Sequence, residues 1–312
     1  MLGNIVIDTL VTGLPLVPVF LGIYIVLRLR EDFDLTVEGS FAFGGGVCAV
    51  LLSHSHNPLL ALAAGAIAGG LAGLATSLLH LWLNIPVVLA GLVMSIALFS
   101  ITLRVTKLPT INLIGVTTIY SPFTDSGAQP NDTLVIIVLA AIVGAVLTAF
   151  ALFLRTEIGL ALRASGVNAV MVRSQGANDR ALLVLSLVGS NALSGFGAGL
   201  VVQTQGYADI NMGVGTFVAG VGAVLLGVLI LRPGGSQVVR IVLCVLVGTL
   251  LYRFILVGAL RIGVPANDLK GITALTLIVA VAAQKYISQG LGRLRLRGPG
   301  SLPADSEGVM SR

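Results

Sequence analysis

Residues 133–154 hold no charged side chain, and apolar stretches of this kind recur along almost the whole chain. That feature leaves few folds open. A helix that crosses a bilayer needs ~20 mostly apolar residues, because its backbone polar groups must be satisfied within the segment. The composition agrees: hydrophobic residues make up 56% of 312 and charged residues only 10%, against roughly 25% charged in an average soluble domain. A water-soluble globular enzyme is thereby excluded. An outer-membrane barrel is excluded too, since its strands alternate over ~10 residues rather than running apolar throughout. The expected fold class is an all-α polytopic membrane protein.

Reading between charges gives about nine spans, within a range of eight to ten: 9–27, 39–53, 58–83, 85–103, 133–154, 181–203, 212–231, 237–260 and 271–287. The first lacks a basic leader, its earliest charge being Asp8, so it reads as a retained span rather than a cleaved signal peptide. The second is short and carries Gly44, Gly45 and Gly46 after the acidic stretch 31–34. It reads either as a broken helix beside a translocation path or as a tilted helix with a close-packed glycine face. Cys48 and Cys244 both lie in apolar runs and set no disulfide framework.

Orientation follows from the positive charges. With 155–180 in the cytoplasm, the outer side holds only Arg104, Lys107, Arg261 and Lys270. Arg253 falls inside a span, and the other 13 of the 18 Lys and Arg residues are cytoplasmic. Nine spans of this polarity put the N-terminus outside and the C-terminus inside. The basic balance, net +5, flanks apolar segments and gives no soluble basic face for nucleic acid. Membrane lipid is the surrounding partner. The domains expected are a transmembrane unit, 1–292, and a tail, 293–312, too poor in apolar residues to order itself.

Two segments echo each other. Residues 34–50 read DLTVEGSFAFGGGVCAV and 209–225 read DINMGVGTFVAGVGAVL. Each passes from Asp through a small polar triplet, Gly39-Ser40-Phe41 or Gly215-Thr216-Phe217, into a Gly/Ala/Val run. By the charge count they start on opposite faces, as an inverted repeat would; chance likeness of glycine-rich spans is the alternative. If the repeat holds, the transport path lies between them.

Little bond-making chemistry is present. There is no phosphate-cradling GxxxxGK[ST] loop, no HExxH and no GxSxG. His54 and His56 lack further ligands for a metal. No metal or other cofactor is expected. Acids inside the spans are scarce, which argues against an ion-coupled carrier. Arg253 is either a functional intramembrane charge or an arginine that snorkels to the interface. Small residues at helical spacing, such as Gly65, Gly69 and Gly73, suit close helix packing. Asn191 reads as helix glue or as a solute contact.

The stretch 155–180, RTEIGLALRASGVNAVMVRSQGANDR, is too polar to span and too regular for a loose linker. Gly166 and Gly176 bracket a short helix there. It suits docking of a soluble partner, or else lies on the headgroups.

That stretch also carries a resemblance. Thr156-x-x-Gly159-x-x-Leu162-Arg163-Ala164-x-Gly166-x-Asn168, followed by Gly176-x-Asn178, resembles the coupling region of ABC importer permeases of the branched-chain amino acid and ribose type. Asp34–Ser40 resembles their early DLTVEGS motif, and Gln205–Asp209 with Met212–Gly215 resembles the tryptophan/tyrosine-type subset. One departure stands out: many relatives carry an acid after the Val-Leu-Leu-Gly at 224–227, where this chain has Val228, so no role of that acid carries over.

The resemblance implies a type II ABC importer permease with an inverted repeat, in a bacterial inner membrane. It forms the pathway for a small polar solute, an amino acid of aromatic or branched-chain type. The partners implied are a second permease copy in a homodimer, a cytoplasmic ABC ATPase dimer that binds the ATP, and an external solute-binding protein. The subunit itself is not an enzyme. Gly166 to Gly176 would be the ATPase-coupling helix, with Asn168, Ala169, Met171, Val172 and Arg173 as its contact residues. Glu38, Ser40, Phe41, Asn191 and Thr216 are pathway candidates, lying on the two echo segments and the polar sixth span. The alternative is an ion-coupled secondary transporter working without an ATPase.

Overall fold

The structure is a computed structural model and describes residues 2–121, 132–231, 238–265 and 268–295. The first span is one long helical run with two interruptions. α1 (Leu2–Gly13) gives way to a 3-10 turn at Leu14–Leu16, α2 (Val17–Tyr24) follows, and a π-helical stretch Ile25–Arg30 ends the run. Pro15 and Pro18 explain the first interruption, because proline gives no N–H to the ladder. Glu31, at φ 61°, stops the run and turns the chain back.

Then come α3 (Thr36–Ser53), α4 (Pro58–Leu83), α5 (Val87–Thr106) and α6 (Asp132–Arg155). Two short helices follow, α7 (Glu157–Val167) and α8 (Ala169–Ser174). The last four are α9 (Asp179–Gln205), α10 (Thr216–Leu231), α11 (Val238–Arg261) and α12 (Leu269–Arg295). Among the described residues, seven helices are long and apolar enough to cross a membrane, while Thr216–Leu231 and Leu269–Gln284 are shorter apolar helices. Each of the nine apolar stretches falls on a helix, but two of them miss the length of a full span. The all-α expectation needs one amendment. β1 (Thr110–Asn112) pairs antiparallel with β2 (Tyr207–Asp209), a two-stranded clasp joining the ends of α5 and α9. Residues 296–312, most of the expected tail, lie outside the described residues, and α12 runs on through 293–295.

Contacts fix the direction of each helix. Pairs 40–191, 44–195 and 48–199 hold one constant offset, so α3 runs parallel to α9. The first span runs against α9, with Gly22 on Ser190 and Arg30 on Asp179. It also runs against α11, with Asp8 on Arg261 and Gly13 on Arg253. α10 opposes α11 through Ala223–Gly248 and Gly227–Cys244. The bundle therefore has an Arg30 end and an Asp8 end, and α3 and α10 run in opposite senses.

Neither of those two helices starts at a bundle end. Asn191 lies about 18 Å along α9 from Asp179 at ~1.5 Å per residue. Asp34 reaches it with a 2.6 Å hydrogen bond, so the chain re-enters the bundle before α3 begins. On the other side the chain leaves α9 at Gly206 (φ +76°) and descends to the level of Glu38 before α10 starts. The second apolar segment is thus an unbroken helix, but a late-starting one. Its glycines serve close contact: a Cβ on Gly44 would lie 2.4 Å from the Gly195 Cα, and one on Gly45 2.0 Å from the Met212 Cε.

Candidate functional site

Two places combine chemistry with access. The first is a cavity of about 430 Å³ between the first span, α3, α9, α10, α11 and the start of α12. Its walls include Leu16, Phe20, Phe41, Tyr207, Met212 and Tyr252, with Gln205, Thr216, Arg253, Lys270 and Thr273 as polar members. The kinked first span brings Phe20 edge-on to Tyr252, with ring centroids 6.1 Å apart. The Tyr252 hydroxyl shares a 2.9 Å hydrogen bond with Thr273, which ties α11 to α12. The descending segment 210–215 supplies the floor. There Glu38 of α3 accepts hydrogen bonds from the backbone N–H of Gly215 (3.1 Å) and of Phe217. A carboxylate from one re-entrant helix thereby caps the other, where the helix dipole favours negative charge.

The pathway candidates separate on this geometry. Phe41 and Thr216 line the cavity. Glu38 stands behind its floor. Ser40 and Asn191 are fully buried and do not reach it. Ser40 donates to the Asn191 side-chain oxygen (2.7 Å), and the Asn191 amide donates to Asp34 (2.6 Å) and to the Leu187 carbonyl (2.9 Å). Asp34 also accepts from the Thr36 N–H (2.8 Å), and the Thr36 hydroxyl meets that of Thr76 (2.8 Å). Asn191 therefore joins α3, α9 and the re-entrant turn, the gluing role. Arg253 does not merely snorkel: it borders the cavity, and its Nε is buried without a hydrogen-bond partner.

The second place is the Arg30 end. Thr156 caps α7 by accepting from the Gly159 N–H, and Asn168 caps α8 by accepting from the Met171 N–H (3.0 Å). Of the two bracketing glycines, Gly176 stands at the helix boundary expected of it and Gly166 does not. Gly166 lies inside α7, where a Cβ would come 2.0 Å from the Leu29 carbonyl oxygen, so it is the seat of α7 on the first span. Gly176 closes the turn after α8 at φ +83°. Val172, expected as a contact residue, is 5% exposed and pins α8 inward, whereas Val167, Val170 and Met171 are exposed. Ala169 is half-buried, and Arg173 is exposed 3.9 Å from Asp179.

Asp179 and Arg30 were not legible as site residues. Arg30 pairs with Asp179 at 2.6 Å and donates to the Ser165 hydroxyl at 2.9 Å, joining the first span, α7 and α9. Arg30 is also 3.4 Å from Asp32, whose carboxyl burial pushes up against the opposing pull of that arginine. A charge just past a span reads as a topology signal in the sequence, and only the fold shows which acid it meets. Among the described residues no group of three His, Cys, Asp or Glu side chains gathers to hold a metal.

Comparison with known proteins gives a consistent outcome. A family described as the branched-chain amino acid transport system / permease component matches residues 5–282. A tyrosine transport system permease protein of Clostridioides difficile (strain R20291) is 30% identical over 84% of this chain and 85% of its own length. An uncharacterised protein of Rickettsia prowazekii (strain Madrid E) is 30% identical over 90% of this chain and 98% of its own. No solved structure matches.

Proposed function

Because this chain belongs to the family of branched-chain amino acid transport system permease components, we propose that it is the membrane subunit of an ATP-driven ABC importer for an amino acid of aromatic or branched-chain type. It is a multi-pass membrane transport component. In this reading it sits in a bacterial cytoplasmic membrane with the Arg30 end and the C-terminus inside. A second copy completes the pathway, an ATPase dimer docks at the Arg30 end, and an external binding protein delivers solute to the Asp8 end. The aromatic walls of the cavity and the name of the Clostridioides relative both support an aromatic amino acid. The opposite senses of α3 and α10, with their starts in contact at Glu38 and Gly215, support an inverted repeat around the pathway.

The observation that carries the reading is α8. It is a short capped helix outside the bundle with Val170 and Met171 turned outward. It leads through α7 and the Arg30–Asp179 pair into the first span and α9. Those two elements supply Phe20 and Gln205 to the cavity. A push on α8 by a closing ATPase dimer is thereby delivered to the cavity walls, and the bond chemistry stays in the partner.

The test is co-purification from the native membrane in detergent, wild type against Met171→Glu and Arg173→Glu. Wild type is expected to bring down an ATPase, and both variants are expected to lose it while keeping the wild-type thermal midpoint. Recovery of no ATPase, together with solute uptake by the purified chain alone in ion-loaded vesicles, would sink the reading in favour of a self-contained carrier.

A further inference from the structure

We propose that Arg253 is the carboxylate-binding residue of the cavity, which takes a solute with a carboxylate at one end and an aromatic or large apolar group at the other. The inference rests on the permease reading above and adds the chemistry of its solute site.

Three observations converge. First, Arg253 lies inside a membrane-spanning helix, eight residues before Arg261 at the helix end. A charge at such depth is costly and marks a functional path by default. An arginine cannot escape that cost by losing its proton. Second, nothing described in the protein balances it. The ion pairs among the described residues join Arg30, Arg173 and Arg261 to acids, never Arg253. Asp8, the acid nearest along the α1–α11 contact, is taken by Arg261. The Arg253 Nε is buried without a partner. Third, the side chain borders a cavity whose described lining includes Arg253 and Lys270 and no Asp or Glu. Glu38, which is not among the lining residues, accepts from the N–H groups that open α10 and feels the charge of Lys270 rather than of Arg253.

The placement of the arginine is built rather than incidental. Gly13 ends α1 where the chain kinks, and a Cβ there would sit 3.3 Å from the Arg253 Cγ. The arginine stem is thus packed against the first span, which holds the guanidinium at the cavity instead of letting it swing to the interface. A planar guanidinium pairs best with a carboxylate, through two parallel N–H···O bonds. The remaining walls, Phe20, Phe41, Met212 and Tyr252, set the other end of the solute: aromatic or bulky apolar.

The experiment uses the full chain in lipid nanodiscs and ligand-observed saturation-transfer NMR at millimolar concentration, which reads weak binding without the external binding protein. The probes are L-tyrosine and L-tyrosinamide, which lacks the carboxylate. Wild type is expected to bind the acid at least about ten-fold more tightly than the amide, as a site built to pair a polar group rejects the analogue lacking it. Arg253→Gln should erase that preference by weakening the acid alone, and Arg253→Lys should keep part of it. Equal binding of acid and amide by wild type overturns the proposal, as does undiminished acid binding by Arg253→Gln or no binding of either probe by wild type. Should Arg253→Gln fail to fold, Lys270→Gln decides: it is expected to keep the wild-type acid preference, and loss of that preference overturns the assignment to Arg253. ATPase capture on the same preparations separates the two readings. Capture without acid preference removes the role of Arg253 and leaves the permease. Acid preference without capture does the reverse.

Discussion

At the scale of single residues, the interior polar groups divide by whether they have partners. Asn191 is satisfied by Ser40, Asp34 and the Leu187 carbonyl, all within one fully buried cluster. Asn191→Ala would leave the Asp34 carboxyl with its Thr36 contacts alone. The expected loss is about 1–3 kcal/mol, the penalty of an abandoned buried polar group. It is read as a lower thermal midpoint of the detergent-purified protein, and an unchanged midpoint would contradict the gluing role. The sequence left Asn191 open between glue and solute contact, because an amide on an apolar helix serves either. What decides is the acid opposite it. Asp34 stands in a loop in the sequence, and only the re-entrant turn carries it 157 positions away to Asn191.

At the scale of elements, glycine spacing was a good guide to close packing but not to partners. Gly65 and Gly69 of α4 press on Gly195 and Asn191 of α9, and Gly44 of α3 meets both helices at Gly65 and Gly195. Three backbones converge there. A Cβ on Gly195 would come 2.2 Å from the Gly65 carbonyl oxygen, so Gly195→Ala should destabilise by about 1–3 kcal/mol through overpacking. Gly144 of α6 has nothing within 4 Å of a built Cβ. There Gly144→Ala should be neutral or stabilise by up to roughly 1 kcal/mol, since alanine loses less backbone freedom in a helix. A pair of melting curves tests both, and equal shifts would refute the packing account. The late starts of α3 and α10 were less legible. Hydropathy counts residues, whereas the depth at which a helix begins depends on what the preceding turn is bonded to, here Asn191 and Glu38.

At the scale of the whole molecule, the Arg30–Asp179 pair joins the outlying helices to the bundle. Its side chains are 9% and 13% exposed. Asp179→Ala leaves Arg30 with Asp32 and the Ser165 hydroxyl, so the expected cost is that of a charged hydrogen bond, about 1.5–3 kcal/mol. The loss should fall first on the segment 157–178, whose other ties include Gly166 on Leu29, Gly159 on Leu154, and the buried Leu162 and Val172. Hydrogen exchange is expected to quicken there before it quickens in α9, and uniform acceleration would show that the pair holds the bundle rather than the segment.

The sequence by itself determined the medium, the helices and the family. Runs such as 133–154 are insoluble as anything but membrane helices, and the Thr156–Asn178 pattern carries the resemblance to the permease family that the whole-chain match bears out. Tertiary structure alone decided which polar groups meet. Arg253 faces a cavity, Asn191 an acid, and Arg30 the start of α9, because each pairing spans more than a hundred residues or depends on where a chain re-enters the bundle. Local pattern encodes what a segment needs from its surroundings. Only packing settles which neighbour supplies it.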